Sequence, residues 1–303
     1  MKNTLLFFLL ICGPFLLAQD LDELLDAETL PSDTPASEVV TDIFPDTRVI
    51  NLPSTEQVPA GMLDFWISHR FGLLNSGISE LFGIDAAQVR FNFEYGLSDG
   101  WSVGLARNTF RKTYEGYTKI RLTQQRVGAK GFPFSAALYA NVGVWSVSNI
   151  DFFDGRNPEN YQFSERLSYT TQLVLSRKFG NRFSLLLAPT WVSLSETNAY
   201  ALGTAIRWQL TPRLAFTGEY VPLFNREELP AVDQEPVRNS FSIGFDINTG
   251  GHNFQLHLTN SSPQNASGYI AQTTSDWGAG DIRFGFNIKR SFVIIKNPNI
   301  KRL

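Results

Sequence analysis

The chain has 303 residues, of which 43% are hydrophobic and 18% are charged, and its formal net charge is −3. Its mean hydropathy is slightly negative, which excludes a bundle of membrane helices, because such a bundle needs several runs of about 20 apolar residues. The 25 Phe, 9 Tyr and 6 Trp argue against a disordered chain, and the single Cys excludes a disulfide scaffold.

The first 18 residues have the pattern of a secretory signal peptide. Lys2 gives a basic start, residues 5–17 are almost all apolar, and Ala18 is a small residue of the kind that precedes a cleavage site. The only cysteine, Cys12, lies inside this segment, and a lipoprotein anchor there is disfavoured because bulky Ile11 precedes it. We therefore predict a signal peptide over residues 1–18 and a mature chain without cysteine.

The next segment, residues 19–60, is strongly acidic. Between Gln19 and Glu56 it has ten acidic residues and one basic residue, Arg48, for a net charge of −9, which leaves +5 on the rest of the mature chain. Its Pro, Ser and Thr content predicts a mostly flexible periplasmic leader. Two short elements are compatible with its sequence, a helical turn over residues 21–25 and an extended segment over residues 47–52.

From residue 61 onward the sequence alternates between apolar and polar residues, as strands with one apolar and one polar face do. In the first run, Leu63, Phe65 and Ile67 share one face. We predict about twelve strands of roughly 9–13 residues, longer than the usual globular strand of about 5–6 residues. The other runs start near Val89, Trp101, Tyr117, Ser135, Leu167, Phe183, Tyr200, Leu214, Phe241, Phe254 and Ile282.

The links between the runs alternate in length. Short links follow the even strands, at residues 98–100, 128–131, 180–181, 211–212 and 249–251, and the longest links follow odd strands, at residues 75–85, 150–163, 225–238 and 261–280. Short periplasmic turns, longer outer loops and an even strand count are typical of a transmembrane β-barrel. We therefore predict an all-β, antiparallel up-and-down barrel over residues 61–296, with a tail over residues 297–303. A secreted β-sandwich or lipocalin-like barrel is the alternative, since its strands also alternate.

The faces of the predicted strands favour a membrane location. Strands that span a bilayer must close into a barrel, because lipid offers no partner for an edge N–H or C=O group. Charges of both signs fall opposite the apolar face, and aromatic residues such as Trp101, Phe183 and Trp208 gather beside the short turns, where an interface girdle is expected. These features predict that the protein lies in the bacterial outer membrane, with both chain termini in the periplasm.

Several motifs of the barrel region are distinctive. They include LDFWISHRFG at residues 63–72, YEGYTK at 114–119, QLHLTN at 255–260 and RFGFNI at 283–288. With these motifs the chain resembles an outer-membrane β-barrel family of unknown function from Bacteroidetes-type bacteria, domain-of-unknown-function family 5777. The resemblance covers roughly residues 44–295. It implies the barrel fold and the outer membrane, and it implies no activity, because the family has none established.

By alternation, ten ionisable side chains point into the lumen, because Arg or Lys on the lipid face costs roughly 2–4 kcal/mol at mid-membrane. They are Asp64, Arg70, Arg90, Glu94, Lys119, Arg121, Glu219, Asp246, His257 and Arg283. One interpretation is a pore whose basic wall attracts anionic solutes. The other is a closed interior in which opposite charges pair, because an unpaired buried charge is costly. Twelve strands is a size between filled eight-stranded barrels and open sixteen-stranded porins.

An outer-membrane enzyme is a less favoured alternative, since it needs a nucleophile beside a base, or a metal site. His257 is the best candidate base, His69 has the outward phase, and Ser68 faces the opposite side of the strand from His69. We therefore predict no enzyme activity, no metal site and no cofactor. The dispersed positive charge also argues against nucleic-acid binding.

The expected partners are outer-membrane lipid and a small solute, and the sequence identifies no protein partner. Aromatic residues in two outer loops, Phe152, Phe153 and Trp277, fit either loops folded over the barrel mouth or a receptor surface. The charge split of −9 against +5 leads to one further hypothesis. The acidic leader docks at the periplasmic mouth of the barrel and partly closes it.

Overall fold

The computed structural model describes residues 37–128, 131–146, 161–195, 197–250 and 252–295. The predicted signal peptide, residues 19–36 of the leader, the tail, Phe152 and Phe153 lie outside the described residues.

Twelve antiparallel strands close into a barrel in which each strand pairs with its neighbours in the chain, and the last strand pairs with the first. The strands are β1 (Met62–Leu73), β2 (Ala87–Ser98), β3 (Trp101–Asn108), β4 (Thr113–Thr123), β5 (Ser135–Val144), β6 (Leu167–Phe179), β7 (Phe183–Leu194), β8 (Thr197–Thr211), β9 (Leu214–Val221), β10 (Ser240–Asn248), β11 (Asn253–Thr259) and β12 (Arg283–Val293). This order confirms the predicted all-β up-and-down barrel of twelve strands. Strand lengths range from 7 to 15 residues, a wider range than the alternation predicted.

The two faces of each strand lie in different surroundings, as the alternation predicts. Along β1, Asp64 and Arg70 are buried inside the barrel, whereas Phe65 points outward and stacks on Phe93 with ring centroids 4.8 Å apart. Trp101, beside a short turn, is also exposed on the outside. The outer face is therefore apolar and suits contact with lipid. None of the helices in the described part of the chain is long and apolar enough to cross a membrane.

The lengths of the links distinguish the two ends of the barrel. Turns such as residues 99–100, 180–182 and 212–213 mark the short-turn end, and loops such as residues 74–86, 222–239 and 260–282 mark the long-loop end. The link between β4 and β5 is longer than predicted, and its Arg126–Val127 pairs with Glu38–Val39 in a small two-stranded sheet. Within the described residues, the links carry one α-helix, α1 (Ala266–Ala271), and short 3-10 helices at Leu74–Ser76, Ile78–Gly83, Phe110–Lys112, Phe163–Arg166, Arg226–Glu228 and Trp277–Ala279.

Residues 43–58, here called the N-terminal plug, run inside the barrel from its short-turn end. The segment folds back as a hairpin, since the Val49 N–H donates to the Leu52 carbonyl at 2.8 Å and the Ser54 N–H donates to the Thr47 carbonyl at 3.0 Å. Leu52 is completely buried. The prediction of a mostly flexible leader is therefore wrong for this stretch, because the interior of the barrel supplies hydrogen-bond and packing partners that are distant in sequence.

A second segment enters from the other end. Residues 260–275, here called the inner loop, fold into the barrel from the long-loop end and carry α1, in which every residue is buried. The predicted outer loop over residues 261–280 is thus largely an internal element. Trp277, just after it, is half-buried and donates its indole N–H to the Phe241 carbonyl at 2.8 Å.

A hydrophobic core fills one side of the interior. The inward faces of β6 to β8 are lined there by small and branched apolar side chains, which pack against the N-terminal plug and the inner loop. The wall contributes Val174, Leu186, Ala188, Val192, Ala199, Ala201 and Ala205; the plug contributes Ile43, Phe44, Val49 and Leu52; the inner loop contributes Ala266, Tyr269, Ile270 and Ala271. The charged groups are therefore concentrated on the remaining wall, formed by β1 to β4 and β9 to β12.

Candidate functional site

The structure buries most of the ionisable side chains that the alternation places in the lumen. Eight of the ten are at most 4% exposed: Asp64, Arg70, Arg90, Glu94, Lys119, Glu219, Asp246 and His257. Arg121 is half-buried near the short-turn end, where its N–H donates to the Gly100 carbonyl, and Arg283 is half-buried at the start of β12, near the long-loop end. The charged wall is thus covered by protein rather than open to solvent.

Buried ion pairs join several of these groups. Arg90 Nε lies 2.7 Å from Glu115 Oε2, and Lys119 Nζ lies 3.4 Å from Glu94 Oε1. Lys289 Nζ lies 3.4 Å from Asp64 Oδ2. Glu115 and Lys289 are not among the ten residues predicted from the sequence, although alternation is a sufficient signal for both. Glu115 shares the phase of Lys119, and Lys289 shares the phase of Arg283.

Glu219, on β9, binds the tip of the N-terminal plug. Its carboxylate accepts hydrogen bonds from three consecutive backbone N–H groups, those of Ile50 at 2.7 Å, Asn51 at 2.8 Å and Leu52 at 2.9 Å. The Asn51 side-chain amide adds a fourth donor, with Nδ2 3.2 Å from Oε2. Hydrogen bonds to a charged acceptor are stronger than those between neutral groups. Glu219 is therefore the principal polar anchor of the hairpin tip.

Arg70, on β1, connects the two inserted segments. Its Nη2 donates to Asn51 Oδ1 of the plug, and its Nη1 donates to the Ser261 and Pro263 carbonyls of the inner loop, both at 3.0 Å. Its Nε donates to His257 Nε2 at 3.3 Å. All of these acceptors are neutral, and no carboxylate of the described residues lies within ion-pair distance of the guanidinium. Arg70 is thus a fully buried cation without a direct counter-ion in this part of the chain.

Charged and polar groups nearer the short-turn end hold the base of the plug. Lys119 Nζ donates to the Thr47 carbonyl at 3.2 Å, and the Thr47 hydroxyl donates to Glu94 Oε2 at 2.9 Å. Lys289 Nζ lies 2.9 Å from Asp46 Oδ1, so an acidic residue of the leader contacts a basic residue of the wall. The plug therefore extends from this region to the level of Arg70, rather than stopping at the mouth as hypothesised.

Glu56, at the end of the plug, is an acid outside the strands whose pKa is shifted by its surroundings. Burial raises its pKa above the usual value, although the nearby positive charge of Arg121 opposes this shift. Its Oε1 accepts the Ile43 N–H at 3.2 Å, which ties the two ends of the plug together. Because burial raises the pKa of Glu56, protonation of this carboxyl favours the docked plug and its ionisation disfavours docking.

The inner loop is anchored by a different carboxylate. Glu115 Oε1 accepts the backbone N–H of Ala266, the first residue of α1, at 3.1 Å. The same oxygen accepts the Asn141 side-chain amide at 3.0 Å, while Oε2 binds Arg90. The buried carboxylate of Glu115 thus neutralises Arg90 of the wall and fixes the start of α1.

The structure places the two histidines considered as candidate catalytic groups on opposite faces of the barrel wall. His257, the candidate base, is 2% exposed, and its Nε2 accepts a hydrogen bond from Arg70 Nε on the inner face of the wall. His69 is on the outer face, where it stacks on Phe286 with ring centroids 5.1 Å apart. Within the described ranges, no group of three His, Cys, Asp or Glu side chains is arranged to hold a metal ion.

The barrel, its buried polar wall and nearly all of its plug coincide with one known domain. The sequence matches the family described as "Membrane bound beta barrel domain (DUF5777)" over residues 44–292. The chain belongs to this family. The matched region of this membrane-bound barrel begins inside the N-terminal plug, so plug and barrel form part of the same domain.

Several solved structures are similar to this membrane-bound barrel at low sequence identity. The KdgM porin has 9% identity and a TM-score of 0.45, with 76% of this chain and 99% of that chain covered. The outer membrane protein Omp33 of Acinetobacter baumannii has 10% identity and a TM-score of 0.40, with 76% and 98% covered. Outer membrane phospholipase A from Escherichia coli has 10% identity and a TM-score of 0.40, with 75% and 92% covered. No curated protein sequence matches the chain.

Proposed function

We propose that this membrane-bound barrel is an outer-membrane channel for a small solute that bears an anionic group, and that its own N-terminal plug closes it. Its proposed role is the passage of a solute rather than catalysis. The predicted signal peptide and the lipid-compatible outer face support the outer membrane as its location. With the chain termini in the periplasm, the plug enters the barrel from the periplasmic end.

One observation carries the proposal. The wall side chains do not fill the interior alone; two inserted segments, the plug and the inner loop, complete it, and the wall holds them through charged and polar groups such as Glu219 and Arg70. Small barrels are filled by their own side chains, whereas larger ones leave room for water or a plug. Withdrawal of the plug exposes a hydrophilic wall, and the charges on such a wall govern which solutes pass.

A permanently closed barrel is the second candidate. The buried pair of Arg90 and Glu115 and the hydrophobic core between the plug and strands β6 to β8 favour it, because both stabilise the filled interior. The two candidates differ in whether the plug leaves the lumen while the barrel stays folded.

The test is the KCl conductance of the full-length protein in planar lipid bilayers. The double variant Ile50→Pro/Leu52→Pro removes two of the three backbone N–H donors to Glu219 without altering the wall, because proline has no N–H. We expect sustained currents from this variant and only brief openings from the unmodified protein. The control Ile50→Val/Leu52→Val keeps both N–H donors and is expected to behave like the unmodified protein.

Hydrogen exchange of residues 43–58 reports independently whether the plug has left the lumen. Fast exchange of these amides together with the absence of any current would overturn the channel and leave the closed barrel. Sustained current that appears together with fast exchange supports the channel.

A further inference from the structure

The tip of the plug touches two oppositely charged groups of the wall at once. Asn51 places Oδ1 against Arg70 Nη2, while its Nδ2 lies 3.2 Å and its backbone N 2.8 Å from the Glu219 carboxylate. A single residue therefore offers an acceptor to a guanidinium and donors to a carboxylate. Asn51 is 2% exposed, so it makes these contacts inside the barrel and away from water.

The wall does not neutralise these two charges by a direct ion pair. Among the described residues, Arg70 binds only neutral acceptors, and the Glu219 carboxylate binds only N–H donors of the plug tip. Arg70 and Glu219 are 1% and 3% exposed. A buried charge without an opposite charge beside it destabilises the folded protein. Charged ligands would therefore stabilise Arg70 and Glu219 more than the neutral amide of Asn51 does.

Neutral polar groups complete the surroundings of Asn51. Ser242 Oγ lies 3.4 Å from Asn51 Nδ2, and Asn287 Nδ2 donates to the Ile50 carbonyl at 3.2 Å. Gln255 Nε2 donates to the Val49 carbonyl at 2.5 Å. When the plug withdraws, these side chains lose a partner and become available to a polar solute.

We propose that Arg70 and Glu219 form a binding site for a small zwitterion of the α-amino acid type, which the plug tip occupies in the closed state. The carboxylate of the solute takes the position of Asn51 Oδ1 on Arg70 Nη2, and its ammonium group takes the position of the plug N–H donors on Glu219. The inner loop keeps its bonds to Arg70 Nη1, so only the plug has to leave. This inference rests on the proposed channel and names the solute class of that channel.

The test uses three probes with the same three-carbon skeleton: L-alanine, propionate and propylammonium. Each is added to the full-length Ile50→Pro/Leu52→Pro protein in a planar bilayer, and the measured quantity is the probe concentration that halves the KCl current. We expect L-alanine to act at a concentration at least tenfold lower than either singly charged probe, because only L-alanine engages both wall charges.

Further substitutions assign the effect to the site. Arg70→Gln or Glu219→Gln, each added to the same background, is expected to raise the half-blocking concentration of L-alanine at least tenfold. Arg107→Gln is the matched control, because Arg107 lies on the outer face over the Tyr114 ring, and it is expected to leave that concentration unchanged.

The outcomes separate the site from the channel. Equal potency of propionate and L-alanine would overturn the zwitterion site in favour of an anion site at Arg70 alone, and so would a Glu219→Gln variant that still responds to L-alanine as before. Sustained current that no probe reduces overturns the site and leaves the channel intact. Absence of current after plug release overturns the channel and the site together.

Discussion

Gly203, on the inner face of β8, shows how closely the plug approaches the wall. A β-carbon at this position would lie 2.6 Å from Leu52 Cδ2 of the plug and 3.2 Å from Ala188 Cβ. The absence of a side chain therefore lets Leu52 reach the hydrophobic core. Gly96 has a similar role at the short-turn end, because a β-carbon there would meet the Pro59 and Val58 carbonyls.

We predict that Gly203→Ala loosens the plug. Overpacking of a filled interior typically costs about 1–3 kcal/mol, and here Leu52 is the neighbour that must move. The expected result is hydrogen exchange of residues 43–58 that is roughly fivefold or more faster than in the unmodified protein. Gly116→Ala is the matched control, since its β-carbon would lie 3.8 Å from Leu105 Cδ2, an ordinary contact. Equal exchange rates in the two variants would contradict the packing described.

At the scale of elements, the strands and the plug differ in how far the sequence predicts them. Each strand carries a local signal, because apolar residues such as Phe65 and Phe93 must face lipid and polar residues must face inward. The plug carries no such periodicity. Its burial depends on Glu219, Arg70 and the core of β6 to β8, which are distant in sequence, so composition alone makes the segment resemble a solvated leader.

The same limit applies to the candidate site. Alternation correctly indicates which side of a strand Arg70 or Glu219 occupies, but it does not show which partner each one meets. Local indications of the plug were the possible extended segment over residues 47–52 and apolar residues inside an acidic stretch, among them Phe44, Val49 and Leu52. The inner loop had a comparable signal in residues 266–271, a short run with few polar residues inside a predicted outer loop.

The inner loop gives a prediction at this scale. Glu115→Gln leaves Arg90 buried without its carboxylate partner, and loss of one partner of a buried pair typically costs about 3–5 kcal/mol. We expect a lower free energy of unfolding in denaturant titrations and faster hydrogen exchange of residues 260–275, whose Ala266 N–H donates to Glu115.

The paired variant Arg90→Met/Glu115→Leu removes both charges but substitutes apolar side chains of similar size. It therefore separates the effect of losing charge from the effect of losing volume. It is expected to be more stable than Glu115→Gln, because it leaves no unpaired buried charge. A double variant that is less stable than Glu115→Gln would contradict the assigned role of the pair.

At the scale of the whole molecule, the slightly negative mean hydropathy averages three environments. The outer face is apolar, one side of the interior is apolar, and the other side is charged. The net charge is likewise a sum of an acidic leader and a basic remainder, and the contact between Asp46 and Lys289 shows the two parts meeting inside the barrel. A composition that matches an ordinary soluble protein thus belongs to a membrane-bound barrel.

If movement of the plug opens and closes this barrel, a reversible crosslink between the plug and the wall controls the current. The Thr55 hydroxyl of the plug contacts the Ser176 hydroxyl of β6, and both residues are buried. Side chains in such contact are close enough for a disulfide to replace them, so Thr55→Cys/Ser176→Cys ties the plug to the wall. The single variants are controls, since neither can form this crosslink.

The measurement is the bilayer conductance of the double-cysteine protein before and after addition of a reductant. We expect no openings while the disulfide is intact and openings like those of the unmodified protein once it is reduced, with no effect of reductant on either single variant. Conductance that is the same in the oxidised and reduced states, with the crosslink verified by mass spectrometry, would show that movement of the plug does not control the current.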